Sequence, residues 1–373
     1  MKKIFCFLTL LAFFLCLTDF SVYAADEIRL DSLTDEVSDS LFSSMEADVK
    51  DALQKIGISD LDFSKIYNLS FRDVLSYFTP EIKDKAVSVL KSFTGLFLLI
   101  LLFSVMNTVI QGDGYDKTYS LFMTATVAVL VLPALRSIII PAVSVMKISN
   151  GFIISYIPVL TLILSFSGSG MSAMLFNTSI VGICEVMSFL VNDILVDFTG
   201  CFICLVTAFS MNENLNAGRI ISSVNKLFTL VVASAGTLFS GVLTVKNVMA
   251  VSVDSLSVKG IRFLLSSFVP VIGSSISEAY SSLLGSINLI KGSVAVIGIL
   301  AVAVINVPVI AEIFLYYLSF SALSYFSEIS CPGNTANIFR MCAAVARAFM
   351  VLVIFEMFIL VISTGLVLTI KNT

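Results

Sequence analysis

The chain has 373 residues and a formal net charge of −4; 58% of its residues are hydrophobic and 13% charged, with a mean hydropathy of +1.02. Soluble domains are about half apolar and a quarter charged, and a core of this size cannot hide the excess, so the composition is that of an integral membrane protein. Histidine and tryptophan are absent, which removes imidazole-based metal sites, catalytic triads and proton shuttles. The balance is not basic, which argues against a nucleic-acid partner.

In chain order, the first element is an address. Lys2 and Lys3 precede an apolar stretch from Ile4 to Leu17, too short for a comfortable crossing of about 20 residues. Val22-Tyr23-Ala24 offers a cleavage site, so residues 1–24 read as a secretory signal peptide. The other reading is an uncleaved signal anchor. Residues 25–91 then form an acidic lead-in, and Asp26 to Lys85 carries 14 of the chain's 26 acidic residues against 7 basic ones. Leu41, Met45, Val49, Leu53 and Ile56 recur near the helical period. Ser70 with Asp73 is a weak capping signal, and Thr79-Pro80 a better one, with proline at the first helical position. If the signal functions, this helical segment lies outside the cytoplasm. Asp35, Glu36 and Asp39 are its candidate partner-docking residues; the plainer reading is a soluble lead-in that only covers the first span.

Uncharged runs then mark the membrane region, residues 92–373. They are Ser92–Gln111, Thr118–Leu135, Ile148–Cys184 (divided by the Ser167–Gly170 turn), Phe198–Asn212, Leu227–Val245, Gly292–Ala311 and Ile313–Ser327, and the long apolar run Ala348–Ile370 joins them although it contains Glu356. The stretch from Phe263 to Ile290 holds Pro270, Gly273 and Gly285, and reads as a broken span or a re-entrant pair. The expectation is an all-α polytopic helical membrane protein with about seven to ten crossings. Arg136 and Lys147 are expected to flank one connection, Lys246, Lys259 and Arg262 another, and Arg340 and Arg347 a third, and these basic loops do not agree on an orientation; the signal peptide is the stronger guide.

An internal similarity runs through this region. Arg219 and Lys226 are spaced as Arg340 and Arg347 are, and each pair leads into a long apolar span. Ser155-Tyr156-Ile157-Pro158 resembles Ser267-Phe268-Val269-Pro270. These offsets suggest tandem units over 150–248 and 262–370, as in transporter-type folds. Two ordinary interfacial helices with snorkelling cations explain them as well.

For chemistry, the carboxylates in or beside spans stand out. Glu185, Glu278, Glu312 and Glu356 are the candidate intramembrane polar or pore residues, while Asp193 and Asp197 read as interfacial. An ionised carboxylate at the bilayer centre costs about 2.5–3.5 kcal/mol on insertion scales, so such a residue faces a cavity, the bundle interior or a partner. Cys201-x-x-Cys204 lies in an apolar run with no second pair, and reads as two small packing residues. Gly236, Gly241, Gly273, Gly285, Gly292, Gly298 and Gly365 suit a tight bundle or a homo-oligomer. No phosphate-binding G-x-x-x-x-G-K-[ST] loop occurs, no motif implies a cofactor or metal, and no nucleophile constellation implies an enzyme.

The last third is recognisable. Val258-Lys259-Gly260-Ile261-Arg262-Phe263, Phe268-Val269-Pro270-Val271-Ile272-Gly273, Ser277-Glu278-Ala279 and Ile290-Lys291 follow one another in an order that resembles the stage III sporulation protein AE family of endospore-forming bacteria. The resemblance implies a membrane subunit of a secretion-like channel complex joining mother cell and forespore. It places the protein in the mother-cell-derived membrane, with ring-forming stage III A-operon proteins, a cytoplasmic ATPase and stage II sporulation protein Q as partners. It defines no catalytic residue. The residues by themselves also allow a stand-alone gradient-driven transporter.

Overall fold

A computed structural model describes the backbone of residues 47–56, 71–110, 116–166, 196–211, 217–231, 273–330 and 335–369, with isolated positions between 38 and 58, 174 and 186, and 233 and 241. The side chains of 71–75, 107–117 and most of 273–289 and 360–369 lie outside that description. Every described element is a helix, with no strand among the described residues. They are α1 (Ala47–Lys55), α2 (Phe71–Ile110), α3 (Asp116–Phe166), α4 (Val196–Ser210), α5 (217–231), α6 (Gly273–Ser330) and α7 (Thr335–Thr369).

Among the described residues, four helices are long and apolar enough to cross a membrane, over Ser76–Met106, Thr118–Ser165, Ile290–Ser330 and Thr335–Ile359. The protein is a helical membrane protein, as its composition requires. The stretches 187–195 and 242–272, part of the expected membrane region, lie outside the described residues.

Side-chain contacts fix how the long helices run. The Tyr119 hydroxyl donates to the Phe103 carbonyl at 2.6 Å, closing α2 and α3 into an antiparallel pair. Lys85 meets Glu312, and twelve residues on Phe97 packs on Phe326, so α2 and α6 run parallel. Tyr156 reaches Val294 and Ser149 reaches Asn306, so α3 and α6 are antiparallel. Arg340 pairs with Glu328 and Arg347 lies over Tyr317, so α7 folds back along α6. One core joins all four, and Phe320, Phe339 and Phe349 are among its largest fully buried side chains.

Three boundaries differ from the sequence expectation. Thr79-Pro80 does not start a helix; α2 begins at Phe71 and carries Pro80 inside it. A proline in a helix interior costs about 3 kcal/mol. Here the apolar stripe continues across it, since buried Phe78 and half-buried Ile82 both pack around Val304 of α6. Arg136 and Lys147 do not flank a connection; both are exposed on the continuous α3. Between them Ile138, Ala142, Val145 and Ser149 keep a buried face at helical spacing. From Gly273 to Ile290 the backbone is one unbroken turn series of α6, so the broken or re-entrant form does not occur there; residues 263–272 lie outside the described residues.

The acidic lead-in is helical where it is described. Val49 and Leu53 of α1 are buried in the main core, and Ile56 joins Phe78 and Val304. Its acidic face stays out, with Asp51 holding Lys55 at 3.0 Å in an exposed pair.

Candidate intramembrane polar site

Polar contacts follow one another along α6. Near its middle the Tyr156 hydroxyl of α3 donates to the Val294 carbonyl at 2.9 Å, one turn from Gly298. Two turns further, the Asn306 amide donates to Ser149 Oγ of α3 at 3.0 Å and to its own Val302 carbonyl at 2.9 Å. Asn306 and Ser149 are both fully buried. Beyond them Lys85 Nζ of α2 meets Glu312 Oε2 at 2.5 Å. Thr124 of α3 and Thr335 of α7 approach at 3.4 Å in a further buried contact. Each pairing follows from the need to satisfy polar groups where water is scarce, and each ties α6 or α7 to a neighbour.

The candidate carboxylates fall into different settings. Glu312 is paired with Lys85, with side-chain exposures of 14% and 28%. Glu356 is 2% exposed, in the buried stripe of α7 formed by Leu352, Val353 and Ile359. Neither of its oxygens has a hydrogen-bond partner among the described residues. Glu185 is exposed. The backbone at Glu278 belongs to α6, and its side chain lies outside the described residues. Asp39 is exposed, while Asp35 and Glu36 lie outside the described residues. Among the described side chains, the structure therefore does not gather Glu185, Glu312 and Glu356; it separates a paired one from a buried one.

Sequence reasoning missed Lys85, Ser149, Tyr156 and Asn306 as members of this polar seam. Charge counting cannot find a serine, a tyrosine or an amide inside an apolar run. Asn306 is nonetheless the one side-chain amide between Gly292 and Glu312, and that was the available signal. Cys201 and Cys204 do not pack inward as expected. Both thiols are free and exposed on α4, which buries Thr199, Phe202, Val206 and Ser210 instead. No group of three or more histidine, cysteine or acidic side chains gathers among the described residues.

The Lys85–Glu312 pair makes a prediction. Glu312→Gln leaves the half-buried ammonium without its carboxylate and lowers stability by roughly 1.5–3 kcal/mol, the range for hydrogen bonds to charged groups. Exchanging the two residues, Lys85→Glu with Glu312→Lys, recovers much of the loss. Thermal unfolding in detergent, followed by circular dichroism because the chain lacks tryptophan, reads both. An unchanged midpoint in Glu312→Gln contradicts the role of the pair as a tie between α2 and α6.

Comparison with known proteins adds the following. A family model described as stage III sporulation protein AE matches residues 47–370. The stage III sporulation protein AE of Bacillus subtilis (strain 168) is 23% identical over 237 residues, which are 61% of this chain and 59% of that protein. The aligned part thus spans under two thirds of that relative. No solved structure matches.

Proposed function

The chain belongs to the stage III sporulation protein AE family, which implies a role in sporulation, and from that premise we propose that it is a membrane subunit of a channel or secretion-like complex between mother cell and forespore. It works in the mother-cell membrane around the forespore, as a non-enzymatic part of the assembly. Ring-forming stage III A-operon proteins, a cytoplasmic ATPase and stage II sporulation protein Q are its partners. Asp35, Glu36 and Asp39 of the acidic lead-in dock on those partners from the space between the two membranes.

The observation that carries this reading is the family match over nearly the whole membrane region. The helix lengths support it. The apolar part of α3, Thr118–Ser165, is 48 residues, or about 72 Å at 1.5 Å per residue. A hydrocarbon core of about 30 Å takes less than half of that. Apolar helix beyond the lipid needs protein cover, and a multi-subunit assembly supplies it. The chain also lacks a phosphate-binding loop, so any energy input comes from a gradient or a partner, and the ATPase of the complex is such a partner.

A strain without this chain is expected to complete engulfment and then fail to sustain late forespore gene expression, and the full chain supplied in trans restores it. Normal late expression in its absence contradicts the proposal.

A second reading, a gradient-driven permease, is favoured by one observation: the buried Glu356 without a hydrogen-bond partner. The two merge if this subunit is the permease-like pore of the complex.

A further inference from the structure

Lys226, from the first of the two equally spaced cation pairs, lines one cleft with both members of the second pair, Arg340 and Arg347. α5 and α7 lie on either side of the C-terminal half of α6 and enclose a cleft of about 860 Å³. Lys226 lines it from α5, and Arg340 and Arg347 line it from one face of α7. Seven residues of helix separate the two arginines by about 10 Å. Among the described residues, no acidic residue lines the cleft. Glu328 bonds Arg340 from an exposed position at the rim, where its side chain is 53% accessible. The Arg347 guanidinium lies over the Tyr317 ring, 5.4 Å from its centroid, a cation–π contact that favours one position of the side chain. Lys226 has no acidic partner among the described residues. Asn225, Ser321 and Ser324 add neutral hydrogen-bonding groups to the same walls.

Arg340 shares its charge with Glu328, whereas Lys226 and Arg347 line the cleft without a carboxylate among the described residues; such cations select an anion, and a guanidinium matches the oxygens of phosphate. We propose that this cleft binds a phosphate group of net negative charge, carried by the headgroup of an anionic phospholipid. The surroundings point to the lipid source. Lys226 and Arg347 each stand immediately before a long apolar run, Leu227–Val245 and Ala348–Ile370. Directly beyond Lys226, Leu227, Leu230 and Val231 are exposed on α5, and Leu230 also lines the cleft. A ligand with a phosphate at the cations and an acyl chain along these leucines satisfies both features. Basic pockets between membrane helices hold anionic headgroups in this way. The site is independent of the channel reading, since it rests on the cleft alone.

The test uses the full chain, purified and delipidated in detergent micelles, with thermal unfolding as the readout. Added phosphatidylglycerol is expected to raise the midpoint in a saturable way, and phosphatidylcholine, which carries no net charge, is not. Lys226→Gln and Arg347→Gln each weaken the apparent affinity for phosphatidylglycerol about fivefold, the factor for one basic residue at a membrane surface. Lys226 is exposed on α5, so its variant keeps the test valid if the arginine variant fails to fold. A midpoint raised equally by inorganic phosphate supports the phosphate site and assigns it to a soluble anion. No shift with either probe, an equal shift with phosphatidylcholine, or a shift undiminished in the Lys226→Gln variant overturns the proposal.

Discussion

Gly298→Ala is expected to unfold or strongly destabilise the protein, although it adds one methyl group. A Cβ at Gly298 falls 2.3 Å from the Tyr156 hydroxyl oxygen and 2.4 Å from the ring carbon that bears it. Tyr156 cannot swing aside. It is 2% exposed, stacks on Phe152 with 5.2 Å between centroids, and donates its hydroxyl proton to the Val294 carbonyl at 2.9 Å. That carbonyl is also the one to which the Gly298 N–H points in a regular helix, so the tyrosine reads the helix backbone at the residue that has no side chain. Relief requires α3 and α6 to move apart. The cost is roughly 3 kcal/mol, the upper end for overpacked cores. Adding Tyr156→Leu to Gly298→Ala removes the ring and its oxygen, and recovers a large part of the loss. Thermal unfolding of the two single variants and the double variant forms a complete cycle. Purely additive losses contradict the contact.

Glu356→Met is expected to do the opposite to stability and to harm function. The side chain lies in the buried stripe of α7, and neither carboxylate oxygen finds a partner among the described residues. A buried polar group left unsatisfied costs about 1–3 kcal/mol, and an ionised one at membrane depth costs more. Methionine has similar length, is apolar and adapts its shape, so the variant gains roughly 1–3 kcal/mol. Glu356→Gln keeps a polar head and gains less. A group retained at such a cost points to use, since sites of function hold what stability disfavours. Both variants therefore lose spore formation while the protein accumulates normally. Normal sporulation in both ends the case for Glu356 as a pore or proton-holding residue. A lower midpoint for Glu356→Met means that the carboxylate has a partner in the folded protein.

The class of the fold was legible in composition, because apolar excess has no outlet other than lipid. The lead-in helix was legible too: Val49, Leu53 and Ile56 are buried at the spacing read from the sequence. Helix ends were harder. Arg136 and Lys147 look like loop markers when charges are counted, yet each simply occupies the exposed side of α3 while the opposite side stays buried. Pro80 looks like a start and is carried through by packing on α6. Of the candidate site, burial of Glu356 was legible from the apolar residues on both sides of it. The partner of Glu312 was not, because Lys85 lies 227 positions away and belongs to a segment that reads as soluble. Gly298 was one small residue among seven named, and only the ring of Tyr156 sets it apart. The equal spacing of Arg219–Lys226 and Arg340–Arg347 was visible, while the cleft shared by Lys226, Arg340 and Arg347 required the fold.

The most direct test of the channel-subunit account is capture of the tagged full chain from sporulating cells, cross-linked before detergent is added. The account predicts that the ring-forming proteins and the ATPase come down with it, and that reversing the charges at Asp35, Glu36 and Asp39 weakens that capture. A chain that comes down alone, from cells in which the remaining proteins still assemble, contradicts it.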